Sequence, residues 1–258
     1  MSTLTCGREN IHAETYGHFI KLFVTSGSEQ DRMFHAIDTI PTVRAKAQWC
    51  FKWFGGSGRS FASRLIAFAI VEGVFFCSSF AAIYWFRQRG ILPGLCFSNE
   101  LIARDENMHM RFACLLYGEL QDKLPRSDIY AMLDEAVVLE KSFFHCEYVG
   151  SILRASFHSR GLAALRTPFL GLNAELMGEY IEYVADCLLA YLDIPPYYQT
   201  LNPVGRVFQL PRFGHRLIIS VVLIHGCPSL AREVEFLRTC CIGVQRADYW
   251  IIETAVDS

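Results

Sequence analysis

Apolar residues recur at helical spacing along most of this chain, which predicts an all-α protein. Between residues 9 and 24, for example, Ile11, Tyr16, Ile20 and Phe23 fall near one side of a helix. No alternating strand pattern of useful length occurs before about residue 203. Ser127 is the expected N-cap of one of the later helices. The predicted helices span residues 9–24, 29–39, 42–54, 60–89, 97–120, 127–148 and 173–192.

The segment 65–86 is almost wholly apolar and long enough to cross a bilayer. Basic residues flank both of its ends, so charge gives no membrane orientation. We therefore interpret it as a helix that is buried on all sides inside a helical bundle, with no membrane as partner. Its single carboxylate, Glu72, would be costly to bury unless it is paired or bound to a cation.

Composition narrows the class of protein. The chain has 258 residues, of which 52% are hydrophobic and 19% charged, which is typical of thick, buried helices. A formal net charge of -2 gives no electrostatic argument for a nucleic-acid partner or an anionic membrane. The ten cysteines do not repeat at metal-site spacings, and we see no signal peptide. We expect reduced thiols in a cytoplasmic protein.

One spacing occurs twice, far apart in the chain. Glu9 and His12 form a Glu-x-x-His motif, and Glu106 and His109 form another. Positions i and i+3 share a face of a helix, so each motif directs a carboxylate and an imidazole to one point. Two such helices facing each other form the core of carboxylate-bridged di-iron or di-manganese sites. Taken singly, each of these residues is also compatible with a solvated or ordinary core position.

Several longer motifs resemble the small (β) subunit of class I ribonucleotide reductase, eukaryotic type. The match is nearly continuous over about residues 8–148 and resumes over about residues 169–203. The resemblance implies a ferritin-like helical bundle with a carboxylate-bridged di-metal centre. The segments that carry it are 9–16, 71–76, 79–83, 89–95, 98–106 and 179–186.

The resemblance also implies which residues hold the metal. Two iron ions, with manganese as the alternative, are expected on helices that face one another. Carboxylates suit high-valent iron or manganese, and imidazole adds a neutral ligand. The positions that match the family's ligands are Glu9, His12, Glu72, Glu106 and His109.

The residue matching the family's radical-bearing tyrosine is Tyr16, one helical turn after the first motif. Asp105 matches a residue that hydrogen-bonds a metal-bound histidine, which fixes the tautomer of the imidazole. The apolar pocket expected around the radical consists of Phe76, Phe80 and Ile102. Spacing from the carboxylates supports this pocket, since the two phenylalanines lie at i+4 and i+8 from the carboxylate of their own helix.

Three stretches depart from the family pattern. The family has a further ligand, usually Asp, on a helix that precedes the first motif, and here the chain starts just before Glu9. We therefore expect a bundle over residues 1–203 that lacks the first ligand helix, with reduced metal occupancy. Residues from about 149 to 167 are an unmatched insertion, and residues 204–258 do not match the family.

The predicted function is that of a ribonucleoside-diphosphate reductase small subunit, which generates a tyrosyl radical for deoxyribonucleotide synthesis. Its expected partners are the large subunit and a second small subunit, either a copy of itself or a full-length chain. The alternative is a catalytically silent interaction or regulatory module with an incomplete metal site. A different di-iron oxidase or oxygenase is a third possibility, against which Tyr16 and the sequence 104–106 argue.

Overall fold

The computed structural model describes residues 3–24, 26–55, 58–88, 90, 92–145 and 174–203. These residues form nine α-helices and no strand, which confirms the predicted all-α class. The expected insertion at 149–167 and the segment 204–258 lie outside the described residues. The helices are α1 (Thr3–Phe23), α2 (Gly27–Phe34), α3 (Ala36–Thr39), α4 (Pro41–Phe54), α5 (Phe61–Val74), α6 (Cys77–Gln88), α7 (Pro93–Gly118), α8 (Arg126–Phe144) and α9 (Ala174–Tyr191).

Local sequence explains where several helices begin. The Ser60 hydroxyl accepts a hydrogen bond from Ser63 N at 3.1 Å, which caps the first turn of α5. α8 begins earlier than predicted, because the carbonyl of Pro125 accepts the first helical hydrogen bond from Asp128 N at 3.0 Å. The prediction that Ser127 is its N-cap is therefore wrong, and this serine lies within the first turn.

The expected continuous helix over residues 60–89 is interrupted. α5 ends at Val74, Phe75 and Phe76 form a turn, and α6 begins at Cys77. No glycine or proline lies at the turn itself, so residue type gives no signal for the interruption. Side chains from α4 and α8 bind backbone groups at the turn.

α5 lies at the centre of the bundle. It packs most extensively against α7 and also contacts α4, α8 and α9, while α1 lies against α7. The stretch Phe61–Tyr84 is long and apolar enough to span a membrane, and an 18-residue window within it has a mean hydropathy of 2.1. Yet 94% of that window is buried inside the protein. This burial is what we expect of a central core helix, and it brings the carboxylate of Glu72 into the interior.

Candidate metal centre

Three helices deliver carboxylates and imidazoles to one buried region. α1 and α7 each carry one Glu-x-x-His motif, and α5 carries a single glutamate near its C-terminal end. The i, i+3 spacing places both members of each motif on the same helical face. All five side chains predicted as ligands are buried: Glu9, His12, Glu72, Glu106 and His109.

Four of these residues form a compact cluster. Ligand atoms of Glu9, Glu72, Glu106 and His109 all lie within 4.8 Å of one another. The Nδ1 atom of His109 lies 3.3 Å from Glu9 Oε1, 3.6 Å from Glu72 Oε2 and 3.3 Å from Glu106 Oε2. One imidazole nitrogen thus faces three carboxylates that come from three different helices.

His12 approaches the same carboxylates from another side. Its Nδ1 atom lies 2.9 Å from Glu106 Oε1 and 3.4 Å from Glu9 Oε2. Its other ring nitrogen, Nε2, lies 3.4 Å from Asp105 Oδ2. The fold therefore places Asp105 beside the outer nitrogen of a histidine whose inner nitrogen faces the cluster. Such a contact fixes the orientation of an imidazole.

Burial and repulsion between carboxylates make this cluster costly without a positive charge. Burial raises the pKa of Glu9, and the charge of Glu106 adds to the rise. Glu9 Oε1, His12 Nδ1 and Glu106 Oε1 are buried and make no hydrogen bond of normal geometry within the part of the chain that the structure describes. Buried polar groups are normally satisfied. A cation bound by carboxylate oxygen and imidazole nitrogen would satisfy all three atoms, so the donor set fits iron or manganese.

The pKa values of His12 and Glu106, whose Nδ1 and Oε1 atoms lie 2.9 Å apart, shift in opposite directions. Burial opposes the charged form of His12, but the carboxylates of Glu106 and Glu9 outweigh it and raise the pKa of His12 to about 10. Burial likewise opposes ionisation of Glu106, but its contacts with the side chains of Glu72, His109 and His12, together with the charge of His12, lower its pKa to about 2. Without a metal ion, His12 is therefore an imidazolium at neutral pH and supplies the positive charge itself.

Tyr16 lies one turn beyond His12 and is buried. Phe76 and Ile102 belong to the same buried core as this tyrosine, and Phe80 packs against that core. The rings of Phe76 and Phe80 are 6.0 Å apart between centroids. The three predicted pocket residues therefore lie in the apolar interior that contains Tyr16.

Sequence reasoning missed one polar residue in this interior. The Tyr16 hydroxyl donates a hydrogen bond to Asn99 Oδ1 at 3.3 Å, and Asn99 is fully buried. Spacing could have found it, because Asn99 lies seven residues before Glu106 and three before Ile102 on α7. Those intervals place all three side chains near one helical face.

Carboxylates and imidazoles that converge from three helices of an all-α bundle are the arrangement expected of a metal site in a ferritin-like protein. The family profile described as "Ribonucleotide reductase, small chain" matches residues 2–203. The chain belongs to the ribonucleotide reductase small-chain family, which confirms the resemblance seen in the sequence.

Individual relatives give the extent of the similarity. The protein is 46% identical over 195 residues to one of the ribonucleoside-diphosphate reductase small chains of Arabidopsis thaliana, covering 76% of this chain, and 52% of that one. It is 45% identical over 196 residues to the small chain of Trypanosoma brucei brucei, covering 76% and 53%. Against small chain 1 of Saccharomyces cerevisiae it is 42% identical over 195 residues, covering 76% and 45%. The chain thus spans about half the length of these curated relatives.

A solved structure supports the fold. The ribonucleotide reductase Rnr4 homodimer from Saccharomyces cerevisiae superposes with a TM-score of 0.54 at 30% sequence identity. The superposition covers 67% of this chain, and 49% of the yeast chain. Together with the family match, it confirms the predicted ferritin-like helical fold.

Proposed function

We propose that this chain is a small subunit of a ribonucleoside-diphosphate reductase, in which a di-iron centre oxidises Tyr16 to a radical. The observation that carries the proposal is the cluster of Glu9, Glu72, Glu106 and His109, whose ligand atoms lie within 4.8 Å of one another. The names of the relatives, all ribonucleoside-diphosphate reductase small chains, supply the reaction class.

The distances suggest how two ions would be held. Glu9 lies 3.4 Å from His12 Nδ1 and 3.3 Å from His109 Nδ1. Glu106 lies 2.9 Å from His12 Nδ1 and 3.3 Å from His109 Nδ1. Each carboxylate thus approaches both imidazoles. These two carboxylates would therefore hold metal together with both imidazoles. Glu72, 3.6 Å from His109 Nδ1, would complete the His109 side.

The two sides of the proposed centre are unequal. The ion beside His109 would have Glu72 as its own carboxylate. On the side of His12, the nearest additional carboxylate among the described residues, that of Asp105, lies at the outer ring nitrogen instead. We therefore propose that the His109 side binds metal more tightly. This follows from ligand number and charge.

The residues around Tyr16 would then determine how long the radical persists. When bound, iron supplies the oxygen chemistry that removes one electron from Tyr16. The phenol of Tyr16 is held by Asn99 and lies in the apolar core with Phe76 and Ile102. This environment excludes water and soluble reductants, which is what a long-lived radical needs.

The family also suggests partners and location. We propose that the chain pairs with a second small subunit, either another copy of itself or a full-length chain, and docks on the large subunit that reduces the nucleotide. The yeast structural relative is a homodimer, which supports pairing. The buried cysteines Cys77 and Cys114 form no disulfide, which fits a cytoplasmic location.

Iron loading tests the proposal directly. The full chain is loaded with Fe(II) without oxygen, exposed to O2, and examined for iron content and for a tyrosyl signal by electron paramagnetic resonance. We expect bound iron and a radical in the wild type, and bound iron without the radical in Tyr16→Phe. Tyr117→Phe is the matched control, since Tyr117 is also buried and its hydroxyl accepts a hydrogen bond from Leu124 N. No retained iron, or a radical that persists in Tyr16→Phe, would contradict the proposal.

A further inference from the structure

A second buried charge cluster lies outside the metal centre. Lys46 on α4 and Glu140 on α8 are both fully buried, with the Lys46 ammonium 2.6 Å from Glu140 Oε2. The Lys46 Nζ atom also lies 4.1 Å from the centroid of the Phe143 ring and 5.2 Å from that of Phe75. The ammonium is thus enclosed by a carboxylate and two aromatic rings, which is a favourable environment for a buried cation.

This pair binds the backbone at the interruption between α5 and α6. In a continuous helix, Phe75 O would accept from Ser79 N, and Ser78 N would donate to Val74 O. Here Lys46 Nζ donates to Phe75 O at 2.6 Å. Ser78 N donates to Glu140 Oε1 at 3.1 Å, and the Ser78 hydroxyl donates to the same oxygen.

The two charges therefore satisfy backbone groups on either side of the turn. The lysine binds a carbonyl at the end of α5, and the glutamate binds an amide at the start of α6. Each backbone group suits the charge that it meets, since a helix N-terminus is partially positive and a C-terminus partially negative. A buried ion pair of this kind is weak evidence for stability, because apolar residues of similar volume often stabilise as well. A specific conformation of the backbone is the better explanation for it.

The interruption lies directly beside the metal centre. Glu72 is in the last turn of α5, three residues before Phe75, and its carboxylate lies 3.6 Å from His109 Nδ1. Phe76, the second residue of the turn, belongs to the apolar core that contains Tyr16. The turn that the pair binds thus directly follows the helical turn that carries Glu72, and it contains Phe76 itself.

We propose that the Lys46–Glu140 pair positions the metal centre: it holds the interruption between α5 and α6 and so fixes the direction of Glu72. The contacts of the pair are with the turn and with two aromatic rings rather than with the carboxylate cluster or Tyr16, so it acts through the backbone. The part of this inference that concerns metal binding rests on the proposed function. The effect of the Lys46–Glu140 pair on the backbone can be measured without metal.

The test replaces both charges at once, in the full-length protein. Lys46→Met with Glu140→Leu leaves neither charge unpaired, so we expect the variant to fold. We expect amide hydrogen exchange in residues 71–80 to accelerate about tenfold relative to the rest of α5. Because supporting residues of a metal site typically contribute about 10- to 100-fold in affinity, Co(II) should bind at least about tenfold more weakly. The visible spectrum of bound Co(II) should also change, which a loss of stability alone would not produce.

The protein offers a matched control. Lys52 and Glu135 form a second ion pair between α4 and α8, at 2.7 Å, but both side chains are about half exposed. Lys52→Met with Glu135→Leu should leave both the exchange of residues 71–80 and the Co(II) spectrum unchanged. If the buried double variant does not fold, Lys46→Met with Glu140→Gln takes its place, since it leaves no charge unpaired and the amide oxygen of glutamine can still accept from Ser78 N. That variant should show the same changes to a smaller degree.

The outcomes separate this inference from the proposed function. A folded variant with unchanged exchange in residues 71–80, or with unchanged Co(II) affinity and spectrum, overturns the positioning role. A wild-type protein that binds no Co(II) overturns the proposed metal centre instead. In that case exchange alone decides the inference: acceleration confined to residues 71–80 supports it, and uniform or absent acceleration overturns it.

Discussion

Glu72→Gln is the most direct test of the metal centre, because Glu72 is the one carboxylate assigned to a single side of it. Any ligand that binds only the folded state stabilises it by RT ln(1 + [L]/Kd), which is about 2.7 kcal/mol at a concentration of about 100 Kd. For a protein of this size, about 1 kcal/mol shifts the melting temperature by roughly 2–4 °C. Mn(II) at that concentration should therefore raise the melting temperature of the wild type by about 5–11 °C.

The Glu72→Gln variant distinguishes the effect of the charge of this side chain from the effect of its shape. Glutamine keeps the volume of Glu72 but removes one of the buried negative charges, so the metal-free variant should melt at or above the metal-free wild type. If the substitution weakens Mn(II) binding about 100-fold, the same concentration is near Kd and stabilises by only about 0.4 kcal/mol. The melting temperature should then rise by only about 1–2 °C on adding Mn(II).

Thermal unfolding followed by circular dichroism, with and without Mn(II), measures both shifts. Glu135→Gln is the control, because its carboxylate pairs with Lys52 and is about half exposed. It should show the wild-type shift. The reasoning fails if Mn(II) does not raise the melting temperature of the wild type, or if Glu72→Gln gains as much as the wild type does.

Two further predictions concern other residues near the site. Because His12 has a pKa of about 10, metal binding at its Nδ1 atom must displace a proton at neutral pH. Metal affinity should therefore rise about tenfold per pH unit between about pH 6 and about pH 9. A Co(II) titration that gives the same affinity across this range would exclude His12 as a ligand. A methyl group on Gly73 would lie 3.0 Å from both Leu188 Cδ1 and Met110 Cγ. Gly73→Ala should therefore lower the free energy of unfolding in urea by about 1–3 kcal/mol, and an unchanged midpoint would show that the two side chains can move aside.

The convergence of the carboxylates and imidazoles of the proposed metal centre could be predicted from the sequence, because a helix converts spacing into direction. Glu9 and His12 had to share a face of α1, and Glu106 and His109 a face of α7, once both segments were recognised as helical. Glu72 stood out because a lone carboxylate in an apolar helix needs a partner. What spacing could not give was the distance between helices, which depends on how their side chains pack.

The interruption of α5 could not be predicted by the same reasoning. Residues 75 and 76 are both phenylalanine, with no glycine or proline at the turn. The side chains that bind the turn are those of Lys46 and Glu140, 29 residues before Phe75 and 62 residues after Ser78. Lys46 does interrupt the buried face of α4, but a lysine at the edge of an apolar stripe commonly extends its charge to solvent. Only the packing of α4 against α8 shows that this one does not.

The balance of charge distinguishes the two buried clusters. Lys46 and Glu140 neutralise each other, so that cluster is complete as it stands and serves the backbone. The metal centre instead contains the carboxylates of Glu9, Glu72 and Glu106, with an imidazolium as its clearest positive charge. An excess of buried negative charge is not stable by itself, whereas two divalent cations would more than balance it. The interior thus contains one ion pair that is neutral by itself and one carboxylate cluster whose charge would be balanced by metal ions. Only the carboxylate cluster has residues close to Tyr16 in the sequence.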